Sequence, residues 1–432
     1  MIARLLKRLV PAPLHRPIRR GVLFLIPPLR QRLTRAWRRR KRLIRRVRGT
    51  RKRLGRLWRN LIKHTWRKRL EPLWKRIRPR TVWLRVRLRL WYWRRRNRSE
   101  ENSNEIHLIN PLGNAAGGTD WRTVSLFDEL KRVGGKVCLW SEQSLWSECE
   151  PDPAFSERYP VRWIVPERFE FPKTGTFVFV GVFFPVGPWV RYTNPRRIIL
   201  VYNTWHPEEL RRKIRQLSNG GRREVEVVYA SELMKRNAGN HPGYVEPSLI
   251  DIDRFVPTPT KESSSFTVGR LSRANPKKHH PDDPALYRRL VEEGCRVRIM
   301  GPSPSLEEEL GGMESVTLLP MGAQEAHLFL QELDSFFYRT SEEYQEPWGR
   351  VVTEAMACGL PVVCHQSGGY ARIIDHGRNG FLFETQQEAL EILLLLKEDP
   401  ALRERVGREA RRTAEELFSA AVRSELAELY LR

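Results

Sequence analysis

Residues 346–363 read Glu-Pro-Trp-Gly-Arg-Val-Val-Thr-Glu-Ala-Met-Ala-Cys-Gly-Leu-Pro-Val-Val (EPWGRVVTEAMACGLPVV). Gly349 opens a helix, Gly359 takes the position just past its end where left-handed backbone is wanted, and Pro361 starts a strand. Glu346 then lies in the loop before the helix and Glu354 one to two turns into it, both near strand ends, where open α/β sheets bind ligands. Two carboxylates so placed can accept hydrogen bonds from paired hydroxyls, while the helix amides at Gly349, Arg350 and Val351 face an anion. The E-x7-E spacing alone is common by chance; the helix-Gly-Leu-Pro-strand context makes it specific.

On either side the α/β alternation continues. Strands are predicted at Ile106–Ile109, Val137–Trp140, Phe177–Val182, Ile198–Tyr202 and Val225–Tyr229, with a glycine-rich loop over Asn110–Gly118 and a helix over Thr119–Val133. After a Pro, Thr and Ser linker at 257–265, a second series follows. It has strands at Phe266–Gly269, Arg296–Met300, Phe336–Tyr338 and Pro361–Cys364, and helices at Pro284–Glu293, Gln324–Leu333 and Gly349–Ala357. The closing segment Leu402–Leu431 is expected to be helical. The predicted fold is α/β: two Rossmann-like parallel-sheet domains, 105–258 and 264–415, with an interdomain cleft, a C-terminal helix over 416–432 and a basic, mostly helical extension over 1–100.

The stretch from Glu346 through Phe383 resembles the donor-binding segment of retaining GT-B glycosyltransferases of the GT4 type, glycosyl transferase group 1. The resemblance covers about residues 105–385. Gly117-Gly118-Thr119 is similar to the family's early glycine loop, Val268-Gly-Arg-Leu271 to the start of its second domain, and Val245–Pro257 to its interdomain linker. It implies a nucleotide-sugar donor held in the second domain and an acceptor, such as a glycan or lipid-linked molecule, held by the first. Glu346 would contact the donor sugar, Glu354 the ribose, and an Arg-Lys pair, Arg270 with Lys278 preferred over Lys277, the diphosphate. Arg273 is a possible helper, and Gly117, Gly118, Gly349 and Arg350 complete the donor-binding set. Cations there would stabilise the charge that builds on the leaving diphosphate. The resemblance also implies reaction on one face of the sugar, with the leaving phosphate taking the acceptor's proton. Two departures stand out: Tyr370-Ala371-Arg372 where the family has x-Pro-Glu, and Gly301-Pro302-Ser303 where it has Gly-x-Gly.

Other residues are weighed on their own chemistry. Asn203-Thr-Trp-His206 follows a predicted strand end, so His206 could donate to a sugar hydroxyl or position the acceptor; equally, it could cap the helix that Pro207 begins. Asp251-Ile-Asp253 could hold a divalent cation, but it sits in the linker and leads into Arg254-Phe255-x-Pro257, so no metal and no cofactor beyond the nucleotide sugar are expected. Five cysteines, with no CxxC pair, read as reduced thiols in a cytosolic setting.

Charge divides the chain sharply. Residues 1–100 hold 37 Lys and Arg against two acids, a net of +35, so the remaining residues carry −7 of the total +28. Seven of the 14 Trp also fall in these hundred residues. From Leu33 to Ile77 apolar residues recur at helical spacing among arginines; over Val82–Trp93 (VWLRVRLRLWYW) they alternate, which suits a strand as well as a helix. Trp-bearing basic helices favour an anionic membrane surface. Nucleic acid is the competing partner, with the α/β part then a degenerate transferase scaffold, and packing on the chain itself is the plainest alternative. The longest uncharged run, Thr174–Val190, contains three Gly and two Pro and reads as a buried strand and loop rather than a membrane span. Gly21–Leu29, with Pro27 and Pro28, does not read as an ordinary signal peptide. The expected location is cytoplasmic, peripheral at the inner face of the membrane.

Overall fold

The computed structural model describes residues 71–97, 103–112, 117–142, 153–258 and 265–432. Trp83–Arg432 form one compact unit; before Trp83 only the helical backbone from Glu71 is described. The helix expected over 33–77 therefore lies outside the described residues as far as residue 70, as does the run at 21–29.

Strands β1 (Ile106–Ile109), β2 (Val137–Ser141), β3 (Val161–Trp163), β4 (Thr176–Val180), β5 (Arg197–Tyr202), β6 (Glu226–Tyr229) and β7 (Tyr244–Val245) make a seven-stranded sheet in the order β3-β2-β1-β4-β5-β6-β7. Strands β8 (Thr267–Leu271), β9 (Arg296–Met300), β10 (Val316–Leu319), β11 (Ser335–Tyr338), β12 (Val362–His365) and β13 (Phe381–Phe383) make a six-stranded sheet ordered β10-β9-β8-β11-β12-β13. All the strand pairs are parallel. β4 (TFVFV) and β11 (SFFY) are buried at every position, as strands covered by helices on both faces must be. In each sheet the order reverses once, between β1 and β4 and between β8 and β11, and a crevice opens there at the strands' C-terminal ends.

The cores explain how the halves are joined. Leu249, Ile250, Ile252 and Phe255 of the connecting segment pack with β11, β12 and the helix Arg350–Ala357. The first sheet's core, by contrast, includes Ala427, Leu429 and Tyr430 from the chain's last helix. Each large apolar side chain so buried contributes on the order of 1.5–3 kcal/mol. The segment expected to be helical over 402–431 forms two helices, Pro400–Leu417 and Ala420–Leu431. The break is at Phe418, buried in the second domain's core, and at Ser419, whose hydroxyl accepts the Val422 N–H and caps the second helix. The break lets the chain cross back: Arg197 donates to the Leu429 carbonyl at 2.8 Å, and the Tyr430 hydroxyl donates to the buried Glu246 carboxylate.

The alternating stretch at 82–93 is helical, part of Glu71–Arg96. On a helix, a step of two residues turns about 200°, so alternate apolar residues separate onto opposite faces. Val86 and Leu90 are buried at 2% and 3% exposure, whereas Leu84 and Leu88 stand 58% and 59% exposed. The inward face seats on the first domain: Trp83 stacks on Tyr192 at 5.8 Å and Arg89 lies over the Phe169 ring at 5.9 Å.

Candidate functional site

The loop after β11 carries Glu346, and its carboxylate is held from two sides. Lys278 Nζ donates to Oε2 at 2.5 Å and the Tyr338 hydroxyl to the same oxygen at 2.7 Å. Burial pushes this carboxyl up, but the Lys278 charge and the two hydrogen bonds outweigh it and hold it below the usual carboxylate range. The carboxylate is therefore ionised at neutral pH and fixed in direction.

Lys278 ends a short 3-10 turn, Pro276–Lys278, capped by the Asn275 side chain, which accepts the Lys277 N–H. Its ammonium lies 4.3 Å from the Tyr344 ring centre. Lys277 points outward to Glu343 at 3.9 Å, so of the two lysines Lys278 is the one joined to Glu346. Arg270 has no exposed surface. Its guanidinium lies 4.8 Å from the Tyr338 ring centre, faces the buried Asp283 at 3.5 Å and donates to the Lys278 carbonyl. In this state Arg270 braces the Lys278 turn from behind. Asp283 is shared with Arg339, which donates to it from Nε at 2.9 Å and Nη2 at 2.7 Å. Arg273, by contrast, is exposed and reaches the glycine loop of the other domain: a Cβ on Gly117 would lie 3.7 Å from its Nη1.

That loop is organised by Asp120. One carboxylate oxygen accepts the Gly117 N–H at 3.0 Å, the N3 half of a capping box on the helix Gly118–Arg132, and the other accepts from Asn110 Nδ2 at 3.1 Å. Burial pushes the Asp120 carboxyl up to about 6, against the pull of these donors and of Arg273. A Cβ on Gly118 would meet nothing within 4 Å, so local space does not demand glycine there.

Gly349 caps Arg350–Ala357 with φ +82, and a Cβ on it would sit 2.4 Å from Tyr370 Cδ1. Both the left-handed backbone and the close approach require glycine. Tyr370, which precedes the Ala371-Arg372 that stand where the resemblance led one to expect Pro-Glu, is buried against Gly349 and Gly368 and packs edge-on to Tyr338 at 5.7 Å. It buttresses the tyrosine that holds Glu346. Glu354 is buried and paired with Arg350, whose Nε donates to Oε1 at 2.6 Å. Burial raises its pKa while Arg350 opposes. Arg350 Nη1 also donates to Ser125 Oγ at 3.0 Å and to the Leu249 carbonyl at 2.9 Å, so the pair ties the second domain to the first.

His206 stands just past β5 as the N-cap residue of the helix Pro207–Leu217, but its side chain makes no cap bond. Its ring packs edge-on to Phe183 at 5.0 Å, a residue 63% exposed. Asp251 and Asp253 are exposed on a turn in the linker, where the Asp253 N–H donates to Asp251 Oδ1 at 3.3 Å. Among the described residues no three His, Cys, Asp or Glu side chains gather as a metal site. Sequence reading gives no site role to Tyr338 or Asn110, marks Tyr370 only as a departure from the family pattern, and takes Asp120, an acid three residues after Gly117, only as a candidate helix cap.

Residues 252–413 match the family model described as glycosyl transferases group 1. Among solved structures, HepE of Anabaena in complex with UDP and glucose superposes with a TM-score of 0.58 at 18% identity, over 75% of this chain and 98% of that one. Sucrose-phosphate synthase of Thermosynechococcus elongatus gives 0.56 at 14%, over 76% and 98%. Residues 252–413 are thus similar to glycosyl transferases group 1, and the chain has the GT-B fold. Among curated relatives, a probable sucrose-phosphate synthase of Thermosipho melanesiensis is 34% identical over 172 residues, 36% of this chain and 40% of that protein. A D-inositol 3-phosphate glycosyltransferase of Arthrobacter is 44% identical over 69 residues, 16% of each chain. The chain thus spans no more than two fifths of the length of either curated relative.

Proposed function

We propose that the protein is a retaining, metal-independent glycosyltransferase that moves a sugar from a nucleotide-diphosphate donor to a glycan or lipid-linked acceptor. The observation that carries this reading is the Lys278–Glu346–Tyr338 cluster, placed at the β8/β11 crevice with Arg273 reaching the glycine loop of the facing domain. A fixed, ionised Glu346 would orient the donor sugar through its hydroxyls. Arg350 engages Oε1 of Glu354, and the ribose would bind at Oε2. Lys278 and Arg273, with the helix amide end at Gly349, would meet the diphosphate, and Arg270 would act through the Lys278 turn it braces.

In the step itself, the bond between the anomeric carbon and the phosphate oxygen breaks as the acceptor oxygen bonds to the same face of that carbon. The acceptor's proton passes to the departing phosphate oxygen, so configuration is retained and no enzymic base is needed. Lys278 and Arg273 favour this step because negative charge grows on the diphosphate as it leaves. His206 beside exposed Phe183 would help seat the acceptor. UDP-glucose, held by the Anabaena protein in a related crystal, is the first donor to test. The basic extension and the unbridged thiols of Cys138, Cys295 and Cys364 support a cytoplasmic enzyme peripheral to an anionic membrane.

Glu346→Gln should lower kcat by about 10²-fold or more while changing donor Kd by only a few fold, because orientation acts mainly in the transition state. The wild-type enzyme should keep its rate in EDTA and give a product of unchanged anomeric configuration by NMR. Full activity of the variant, a strict Mn²⁺ requirement or inversion would each overturn the corresponding part of the reading.

A further inference from the structure

Among the described residues, the outward face of the helix ending at Arg96 takes no part in the core. Leu84, Leu88, Trp91 and Tyr92 are 58%, 59%, 54% and 53% exposed. At about 100° per residue these four positions fall within an arc of about 100°, opposite the arc that holds Val86 and Leu90. Exposed Arg85 and Arg87 lie on the two sides of that arc. Arg95 lies 4.0 Å from the Trp91 ring centre and Arg96 5.0 Å from that of Tyr92.

We propose that the Leu84–Leu88–Trp91–Tyr92 stripe is a docking surface for an anionic lipid bilayer, with the helix lying in the headgroup layer. The inward stripe is the one buried in the protein's own core, and among the described residues the outward one packs on no other element. Its make-up is that of an interfacial helix: aliphatic groups to enter the acyl boundary, Trp and Tyr at the headgroup level, and arginines whose stems cover apolar surface while their charges face lipid phosphates. Charge selects the partner, since residues 1–100 carry a net of +35. The two leucines select lipid over nucleic acid, because aliphatic side chains offer bases nothing to stack on. The proposal deepens the membrane reading above and rests on it, but not on the transfer chemistry. Because Val86, Leu90 and Trp83 seat this helix on the first domain, the bilayer would be held to the domain proposed to take the acceptor.

The test uses the full chain and vesicles of phosphatidylcholine with or without roughly a third phosphatidylglycerol. Wild type should co-sediment with the anionic vesicles. Leu88→Glu and Trp91→Glu should each weaken partitioning about tenfold, since each puts a carboxylate where an apolar group would enter the lipid. Leu395→Glu, the same charge change at an exposed site on the helix Gln386–Glu398, should stay within about twofold of wild type. Thermal unfolding should not change, as the stripe points outward, and lipids brominated on the acyl chain should quench tryptophan emission of wild type more than of Trp91→Phe. Equal binding by the stripe variants and the Leu395 control would overturn the proposal. So would a wild type that ignores anionic vesicles and binds an RNA oligonucleotide. Donor hydrolysis measured in parallel separates failure here from failure of the transferase reading.

Discussion

Glu142, the residue after β2, is a carboxylate whose two oxygens live differently. Oε1 accepts the Gly187 N–H at 2.6 Å and the Trp189 indole N–H at 3.1 Å, while Oε2 is buried without a partner among the described residues. Burial pushes this carboxyl up to about 7, against those donors and the charge of Lys213. The folded state therefore holds a proton that the unfolded state has released between about pH 4.5 and 7, so this group's contribution to stability falls as pH rises through that window. Glutamine keeps the one oxygen that is used. Glu142→Gln should match wild type near pH 5 and exceed it at pH 8 by about 1–2 kcal/mol in urea unfolding; an equal difference at both pH values would show that ionisation is not the cause.

At the scale of elements, the helix Arg350–Ala357 does two jobs through one ion pair. Removing one partner of a buried pair strands a charge, at about 3–5 kcal/mol, whereas removing both costs much less. Arg350→Met should therefore destabilise strongly, and the Arg350→Met, Glu354→Met double variant should recover at least about 1 kcal/mol of that loss, read from unfolding midpoints. Strict additivity would deny the coupling. The helix itself was legible in the sequence because its start, end and following strand are set by neighbouring residues: Gly349, Gly359 and Pro361. The arginine's bridging role was not, since its partners Ser125 and Leu249 lie 225 and 101 residues away. β3, β7, β10 and β13 escaped for another reason. All four are edge strands, short or incompletely buried, so the long apolar run that marks β4 is missing. The alternation at 82–93 was ambiguous because period two describes both a strand and a helix with two apolar faces, and only the surroundings decide between them.

For the whole molecule, the joining of the two halves matters more than either half. Glu246, at the end of the first sheet, is buried beside Arg122 at 3.6 Å and receives the Tyr430 hydroxyl. Tyr430→Phe should leave the Glu246 carboxylate short of a donor and lower stability by about 1–3 kcal/mol. A donor that binds in the second domain should still give its full thermal shift. Loss of that shift would mean that the last helix also shapes the donor site. The two-sheet plan followed from the alternating pattern of the sequence, but the return of residues 420–431 to the first sheet did not, because their apolar spacing does not say which core they fill.

That return also sets a schedule for synthesis. Domains generally fold in the order they are made, yet the first sheet's core contains Ala427, Leu429 and Tyr430. At ribosomal speeds, the roughly 185 residues from the end of β7 to Tyr430 take about 10–40 s to make. Through that interval the nascent first domain must hold a half-covered apolar face, and the chain seals it last.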